Sequence, residues 1–158
     1  IISGLLAAAI VALWFLIIDI AFREAFFTPG ALGSALFYGA RGPAQVEISI
    51  GTVLGFTLLH MAAFIIAGLV ASAFFVAAER MPPMILGFVL VATAATATIF
   101  GVVAIFASWI LEVIGWWSVG LGSAFGGLAI VLYLWREHPR VVARLRDQHT
   151  VEGPGMMG

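Results

Sequence analysis

The chain has 158 residues, of which 63% are hydrophobic and 9% charged, and its net charge is −1. Soluble domains carry about 25% charged residues, so this composition, with a mean hydropathy of +1.17, predicts an integral membrane protein. All seven basic residues are arginine, and the balance of charge gives no sign of nucleic-acid binding. The chain contains no cysteine, which excludes disulfides, thiolate metal sites and thiol catalysis.

The first span is predicted over residues 1–22. It opens with an uncharged run of 18 residues, 1–18, which is longer than the ~7 to 15-residue core of a cleaved signal peptide. We therefore expect a retained helix, and a length of ~33 Å is enough to cross the hydrocarbon core. The numbering begins without an initiator methionine, and we expect further residues before Ile1 in the gene product.

A short helix is predicted over residues 29–38. Glycine and proline interrupt the apolar stretch 25–40, which is also shorter than the ~20 residues that a span needs. Thr28 followed by Pro29 is typical of an N-cap and first helical position. This segment is expected to be interfacial or re-entrant and to end at Gly39.

Three further spans are predicted over residues 49–78, 84–111 and 116–135. Pro82 and Pro83 separate the first two of these spans, and Gly115 separates the last two. The fold class is thus all-α, with four transmembrane helices. Residues 1–147 form a single transmembrane domain that ends in a short amphipathic segment, and residues 148–158 form an irregular tail.

The arginines predict the orientation. With four spans, five arginines fall on one side of the membrane and two on the other, and the excess marks the cytoplasmic side. Both termini are then cytoplasmic. Four arginines near the C-terminus are expected to contact anionic lipid headgroups: Arg136, Arg140, Arg144 and Arg146.

Small residues at four-residue spacing predict close helix packing. The pairs are Gly51 with Gly55, Gly122 with Gly126, and Ser123 with Gly127. A structural role for these pairs is favoured over a role in permeation.

His60 is the one histidine inside a predicted span. Helix geometry places it about 140° around the helix from Gly55, and we expect one of these two faces to contact a neighbour outside the chain. A neutral histidine that is hydrogen-bonded to a neighbouring helix is favoured. The alternative is axial ligation of a tetrapyrrole. His138 and His149 lie outside the spans, so a five-coordinate pigment fits better than bis-histidine haem.

Asp19 is an ionisable residue inside the first span. Arg23 follows it at i,i+4 spacing, which favours an ion pair over a role in proton-coupled transport. The sequence has neither an HExxH motif nor a phosphate-binding glycine loop, and we predict no catalytic residues and no metal site.

Three segments carry a resemblance to known proteins: ALWFLIIDIAFREAFFTPGALGSALF (12–37), VLGFTLLHMAAFIIAGLVA (53–71) and GWWSVGLGSAFGGLAIVLYLWREHP (115–139). They resemble a group of small four-helix bacterial membrane proteins of unassigned function. The resemblance implies a bacterial inner membrane and four spans, and it brings no catalytic residues.

The function expected from these features is that of a non-catalytic accessory or structural subunit. It would pack against a larger membrane complex, such as a respiratory or photosynthetic one, with membrane lipids and other integral subunits as its partners. One alternative is a small transporter or channel that uses Asp19 and His60. Another is a subunit that contacts a pigment or haem through His60.

Overall fold

A computed structural model describes residues 1–80 and 108–137, and it describes residues 78–80 as backbone only. Five α-helices and one 3-10 turn make up the described chain, and these residues include no strand. The helices are α1 (Ile2–Phe22), α2 (Phe27–Tyr38), α3 (Ile50–Arg80), α4 (Ser108–Ile114) and α5 (Trp116–Glu137), and the turn is Pro43–Gln45.

Three of these helices are long and apolar enough to cross a membrane: Ile2–Phe22, Ile50–Ala77 and Trp116–Glu137. They correspond to the first, second and fourth predicted spans. Their surfaces expose large apolar side chains, for example Leu13, Leu58 and Leu132, each more than half exposed, as lipid-facing helices do. Most of the third predicted span, residues 84–107, lies outside the described residues, and only its end is seen as α4.

The central helix is α1, which lies between α3 and α5 and runs antiparallel to both. Gly4 lies against the backbone of α3 so closely that a Cβ there would overlap the carbonyl oxygen of Phe64. On the other side of α1, a Cβ on Gly126 would lie 2.8 Å from Val11. Small residues on facing helices therefore set these two contacts, because they allow the backbones to approach.

The short helix α2 lies along the first turns of α3. A Cβ on Gly33 would overlap the carbonyl oxygen of Thr52, so α2 also packs through a glycine. The helix ends as predicted at Gly39, whose φ is +68°. The amide of Ala40 donates to the carbonyl oxygen of Ser34 at 3.1 Å, which satisfies one of the free carbonyl groups in the last turn.

The start of α2 differs from the prediction. The helix begins at Phe27, and its N-cap is Phe26, which has a left-handed φ of 65°. Thr28 is thus inside the helix and is not its cap. The reason is tertiary, because the backbone amide and the hydroxyl of Thr28 both donate to Asp19 on α1.

The helix α3 begins with a reciprocal cap. The Thr52 amide donates to Ser49 Oγ at 3.3 Å, and the Ser49 amide donates to Thr52 Oγ1 at 3.0 Å. This is the arrangement of a capping box, with threonine in place of the usual glutamate.

The apolar core lies at the other end of the bundle, where α1 begins and α3 and α5 end. Its buried members are Ala7, Ala71, Ala129, Ile130 and Leu134. Phe64 and Phe75 pack against this cluster. The predicted amphipathic segment, the tail 148–158 and the headgroup arginines Arg140, Arg144 and Arg146 lie outside the described residues. Arg136 is described and exposed in the last turn of α5.

Candidate functional site

Asp19 is the centre of a buried polar cluster near the C-terminal end of α1. Its side chain is fully buried. Oδ1 accepts hydrogen bonds from Arg23 Nη1 at 3.2 Å and from the Thr28 hydroxyl at 2.7 Å, and Oδ2 accepts from the Thr28 amide at 2.7 Å. The expected ion pair with Arg23 is thus present. The two bonds from Thr28 make it part of a larger network that joins α1 to α2.

Arg23 extends this network to a third helix. Its Nη2 donates to the carbonyl oxygens of Val113 at 2.8 Å and Ile114 at 2.7 Å. These carbonyls belong to the last turn of α4, where no intrahelical donor remains for them. A cation at this position also interacts favourably with the helix dipole. Arg23 therefore neutralises Asp19 and caps α4 at the same time.

The connection between α4 and α5 is fixed by Trp14 and Ser118. Trp14 Nε1 donates to the carbonyl oxygen of Ser118 at 2.9 Å, across 104 positions of sequence. The buried Ser118 hydroxyl bonds back to the carbonyl oxygen of Ile114 at 2.7 Å, beside Gly115 with its φ of +85°. Trp14 on α1 and Arg23, the residue that follows α1, thus hold the turn that precedes α5.

His60 lies at the level of Ala8, about three helical turns from Asp19 along the bundle. Its Nε2 is 3.3 Å from the carbonyl oxygen of Ala8 on α1, and its ring packs between Phe56 and Phe64 at centroid distances of 6.0 and 4.7 Å. A carbonyl oxygen only accepts, so Nε2 carries the proton and the neutral ring presents Nδ1 as an acceptor. This is the backbone-bonded histidine that the sequence favours.

The hydrogen bond of His60 to Ala8 also affects whether this histidine can ligate a tetrapyrrole. A ligating histidine usually donates its other ring N–H to a carbonyl or carboxylate, and His60 has such a bond. The nitrogen left over is Nδ1, which is adjacent to the histidine's own helix backbone, so a flat macrocycle would meet α3. Ligation of a tetrapyrrole by His60 stays a prediction, and it requires the imidazole ring to rotate away from the carbonyl oxygen of Ala8.

A cavity of about 460 Å³ lies between Asp19 and His60. Four helices and the start of α5 form its walls. Most of its lining side chains are apolar, among them Phe15, Leu16, Phe56, Ile110 and Ile114. The polar lining side chains are Asp19, Thr28, Thr57 and His60. The cavity therefore brings together both sites that the sequence singles out, Asp19 and His60.

The predicted packing residues fall into two groups. Gly55 faces Phe37 on α2, Gly122 faces Phe15 and Trp14, and Gly126 faces Val11 and Phe64. A Cβ on Gly51 would meet only Tyr38 and Ser49, at 3.6 Å or more, and one on Gly127 would meet nothing within 4 Å. Ser123 is exposed, so the second pair on α5 faces away from the described helices.

Both named faces of α3 contact helices of this chain. Gly55 lies against α2, and His60 lies against α1. Farther along α3, the side that carries Gly55 continues through Ala62, Ile66 and Ala73, which are exposed, so this stretch is left for a neighbour.

Sequence reasoning missed Gly4, Gly68, Trp14 and Thr28 as contact residues. Gly4 and Gly68 are single glycines on different helices, and only their juxtaposition shows that they are a pair. Thr28 was assigned to a local cap, because nothing in the sequence shows that Asp19 would bind it. Protein-family models, curated proteins and solved structures contain no match to this chain.

Proposed function

We propose that this protein is a non-catalytic membrane subunit that packs against another integral membrane protein within a larger complex. The proposal rests on one face of α3. Only 6% of the most apolar window of α3 is buried, compared with 28% for α1 and for α5. The longest apolar helix is thus the least buried of the three spans within the described chain.

The free surface of α3 has a composition that suits another helix. We call it the alanine face, and it consists of Leu59, Ala62, Ala63, Ile66, Val70 and Ala73, all exposed. Helix geometry places these six residues within about 100° of each other, on the side opposite Gly68 and hence opposite α1. Alanine next to branched apolar residues forms a shallow groove, and small residues are enriched where membrane helices meet.

The exposed face of α5 provides a contrast within the same molecule. It carries Leu121, Leu128, Leu132 and Trp135, all exposed. Bulky side chains of this kind suit contact with lipid chains, since they leave no groove for a second backbone. The difference favours a protein neighbour for the alanine face of α3 and lipid for the Leu128 side of α5, whereas Ser123 and Gly127 lie on another exposed side of that helix.

The polar groups support this proposal over a transporter. A proton or ion pathway needs a group that can exchange its proton or its ligand. Both Asp19 oxygens already accept bonds, and the Arg23 guanidinium is held by Asp19 and two carbonyl oxygens. These groups are used to join helices.

Photo-crosslinking in the native membrane tests the proposal. A diazirine amino acid replaces Ala63 on the alanine face, and the matched control carries it at Leu128 on α5. We expect a discrete adduct with a different integral membrane protein from position 63, and only lipid adducts from position 128.

Lipid adducts alone from both positions would contradict the proposal. A crosslink between two copies of this chain would also contradict it, because the face would then belong to a homo-oligomer. Purification at native levels in mild detergent gives a second readout, and a monodisperse protein without a co-purifying membrane partner would count against a larger complex.

A further inference from the structure

We propose that the cavity between Asp19 and His60 binds a neutral, apolar molecule that carries a hydroxyl group as a hydrogen-bond donor. The volume of about 460 Å³ lies within the range of small-molecule sites, ~300 to 1,000 Å³. Its rim includes Leu13 and Phe26, which are 57% and 48% exposed. A molecule dissolved in the membrane can therefore reach it from the side.

The cavity offers hydrogen-bond acceptors and no free donor among the described lining residues. A hydroxyl has one hydrogen to donate, and Thr57 uses it on the carbonyl oxygen of Val53 at 2.7 Å. Thr28 uses its hydroxyl hydrogen on Asp19. The lone pairs of both hydroxyl oxygens remain as acceptors.

His60 likewise uses its donor within the protein and keeps an acceptor. Its Nε2–H is directed at the carbonyl oxygen of Ala8, so Nδ1 is left with a lone pair. Nδ1 has no hydrogen-bond partner among the described residues, and it is not one of the fully enclosed atoms. It is thus an accessible acceptor on a side chain of the cavity wall.

The start of α2 adds no donor, although helix N-termini normally supply several. The Thr28 amide is bound to Asp19, Pro29 has no N–H, and the Gly30 amide donates to the carbonyl oxygen of Phe26. A ligand whose polar atoms are all acceptors, such as an ether or a ketone, would face lone pairs only. A hydroxyl group would instead find acceptors at both ends of the cavity.

The charge of the site favours a neutral ligand. Asp19 is the one carboxylate among the described lining residues, and Arg23 already neutralises it at 3.2 Å. A cation would lack an unpaired counter-charge, and an anion would face acceptors. Because the surroundings are apolar, binding either ion would carry a large desolvation cost.

Matched probes test the donor requirement. The purified full-length protein is placed in lipid nanodiscs, and saturable binding above empty nanodiscs is measured for two radiolabelled pairs. The first pair is 4-nonylphenol and its methyl ether, and the second is 1-dodecanol and its methyl ether. One net hydrogen bond predicts that at least one hydroxyl probe binds about fivefold tighter than its ether.

Four single variants and one double variant locate the site. His60→Phe keeps the aromatic packing and removes Nδ1, and Thr57→Val removes one hydroxyl at nearly constant volume. Either change should reduce the preference for the hydroxyl probe, and the two together should reduce it further, to what the Thr28 oxygen supplies. Ala12→Phe fills the cavity and should weaken the binding of all four probes, whereas Ala62→Phe on the alanine face should leave binding unchanged.

The two pairs also separate the possible sources of such a ligand. Selectivity for the phenol points to a hydroquinone-type molecule, and selectivity for the alcohol points to a hydroxylated chain lipid; both agree with the donor requirement. Equal binding of ethers and hydroxyl probes, no saturable binding, or unchanged binding in Ala12→Phe would each overturn the proposal. None of these results depends on a partner at the alanine face.

Discussion

Replacing Asp19 by asparagine should destabilise the protein by about 3 kcal/mol or more. The substitution keeps the size of the side chain and removes its charge. Asparagine Oδ1 can still accept from Arg23 Nη1 and Thr28 Oγ1. Its NH₂ group then faces the Thr28 amide, which donates to Oδ2 at 2.7 Å in the wild type, so a donor meets a donor.

The magnitude follows from these contacts. The Thr28 amide loses its partner in a buried position, which costs about 1 to 3 kcal/mol. The two remaining bonds lose their charge-assisted character, at about 1 kcal/mol each. Arg23 keeps its bonds to Val113 and Ile114, and this limits the total loss of stability. Thr28→Val removes one side-chain bond only and should cost about 1 to 2 kcal/mol.

Reversible unfolding by steric trapping in bicelles would measure these free energies. The control is Glu24→Gln, which changes an exposed carboxylate five positions away and should stay within about 0.5 kcal/mol. An Asp19→Asn variant as stable as this control would refute the reasoning, because the cluster could then not be joining α1 to α2. So would a Thr28→Val variant less stable than Asp19→Asn.

The same assay tests three further contacts. Gly4→Ala should cost more than about 2 kcal/mol, because its Cβ would overlap the backbone of α3. The matched control Gly127→Ala has nothing within 4 Å of the new Cβ, so it should be neutral or gain up to about 1 kcal/mol. Equal effects of the two substitutions would contradict the packing of α1 on α3. Trp14→Phe should lose about 1 kcal/mol with the bond to Ser118, and an unchanged stability would show that this bond is not needed. Ser49→Ala removes the cap of α3 and should cost about 1 kcal/mol. Most of this loss should persist in a Thr52→Val background, because Ser49 Oγ accepts from the backbone amide of residue 52, and a loss that disappeared there would contradict this cap.

The positions of the three described spans could be predicted closely from the sequence. Span 49–78 is observed as Ile50–Arg80, and span 116–135 as Trp116–Glu137. The reason is that insertion into a membrane depends on the local length and apolarity of a segment. The ion pair of Asp19 with Arg23 was predictable for a similar reason, since i,i+4 spacing brings the two side chains together within one helix.

The contacts between helices could not be predicted in the same way. Trp14 reaches Ser118, and Arg23 reaches the end of α4, and no local pattern couples positions about 90 to 100 residues apart. The N-cap assigned to Thr28 was wrong because its partner, Asp19, lies on another helix. A buried carboxylate on another helix is a stronger acceptor for its amide and hydroxyl than any group in its own turn.

The sequence by itself thus determined the membrane class, the extent of the described spans and the presence of two polar residues within them. Only the tertiary structure decided that Asp19 binds Thr28, that His60 binds the carbonyl oxygen of Ala8, and that a cavity lies between Asp19 and His60. It also decided which face of α3 is free. A helix has the same faces whatever packs against it, so the choice among them depends on neighbours that are distant in sequence.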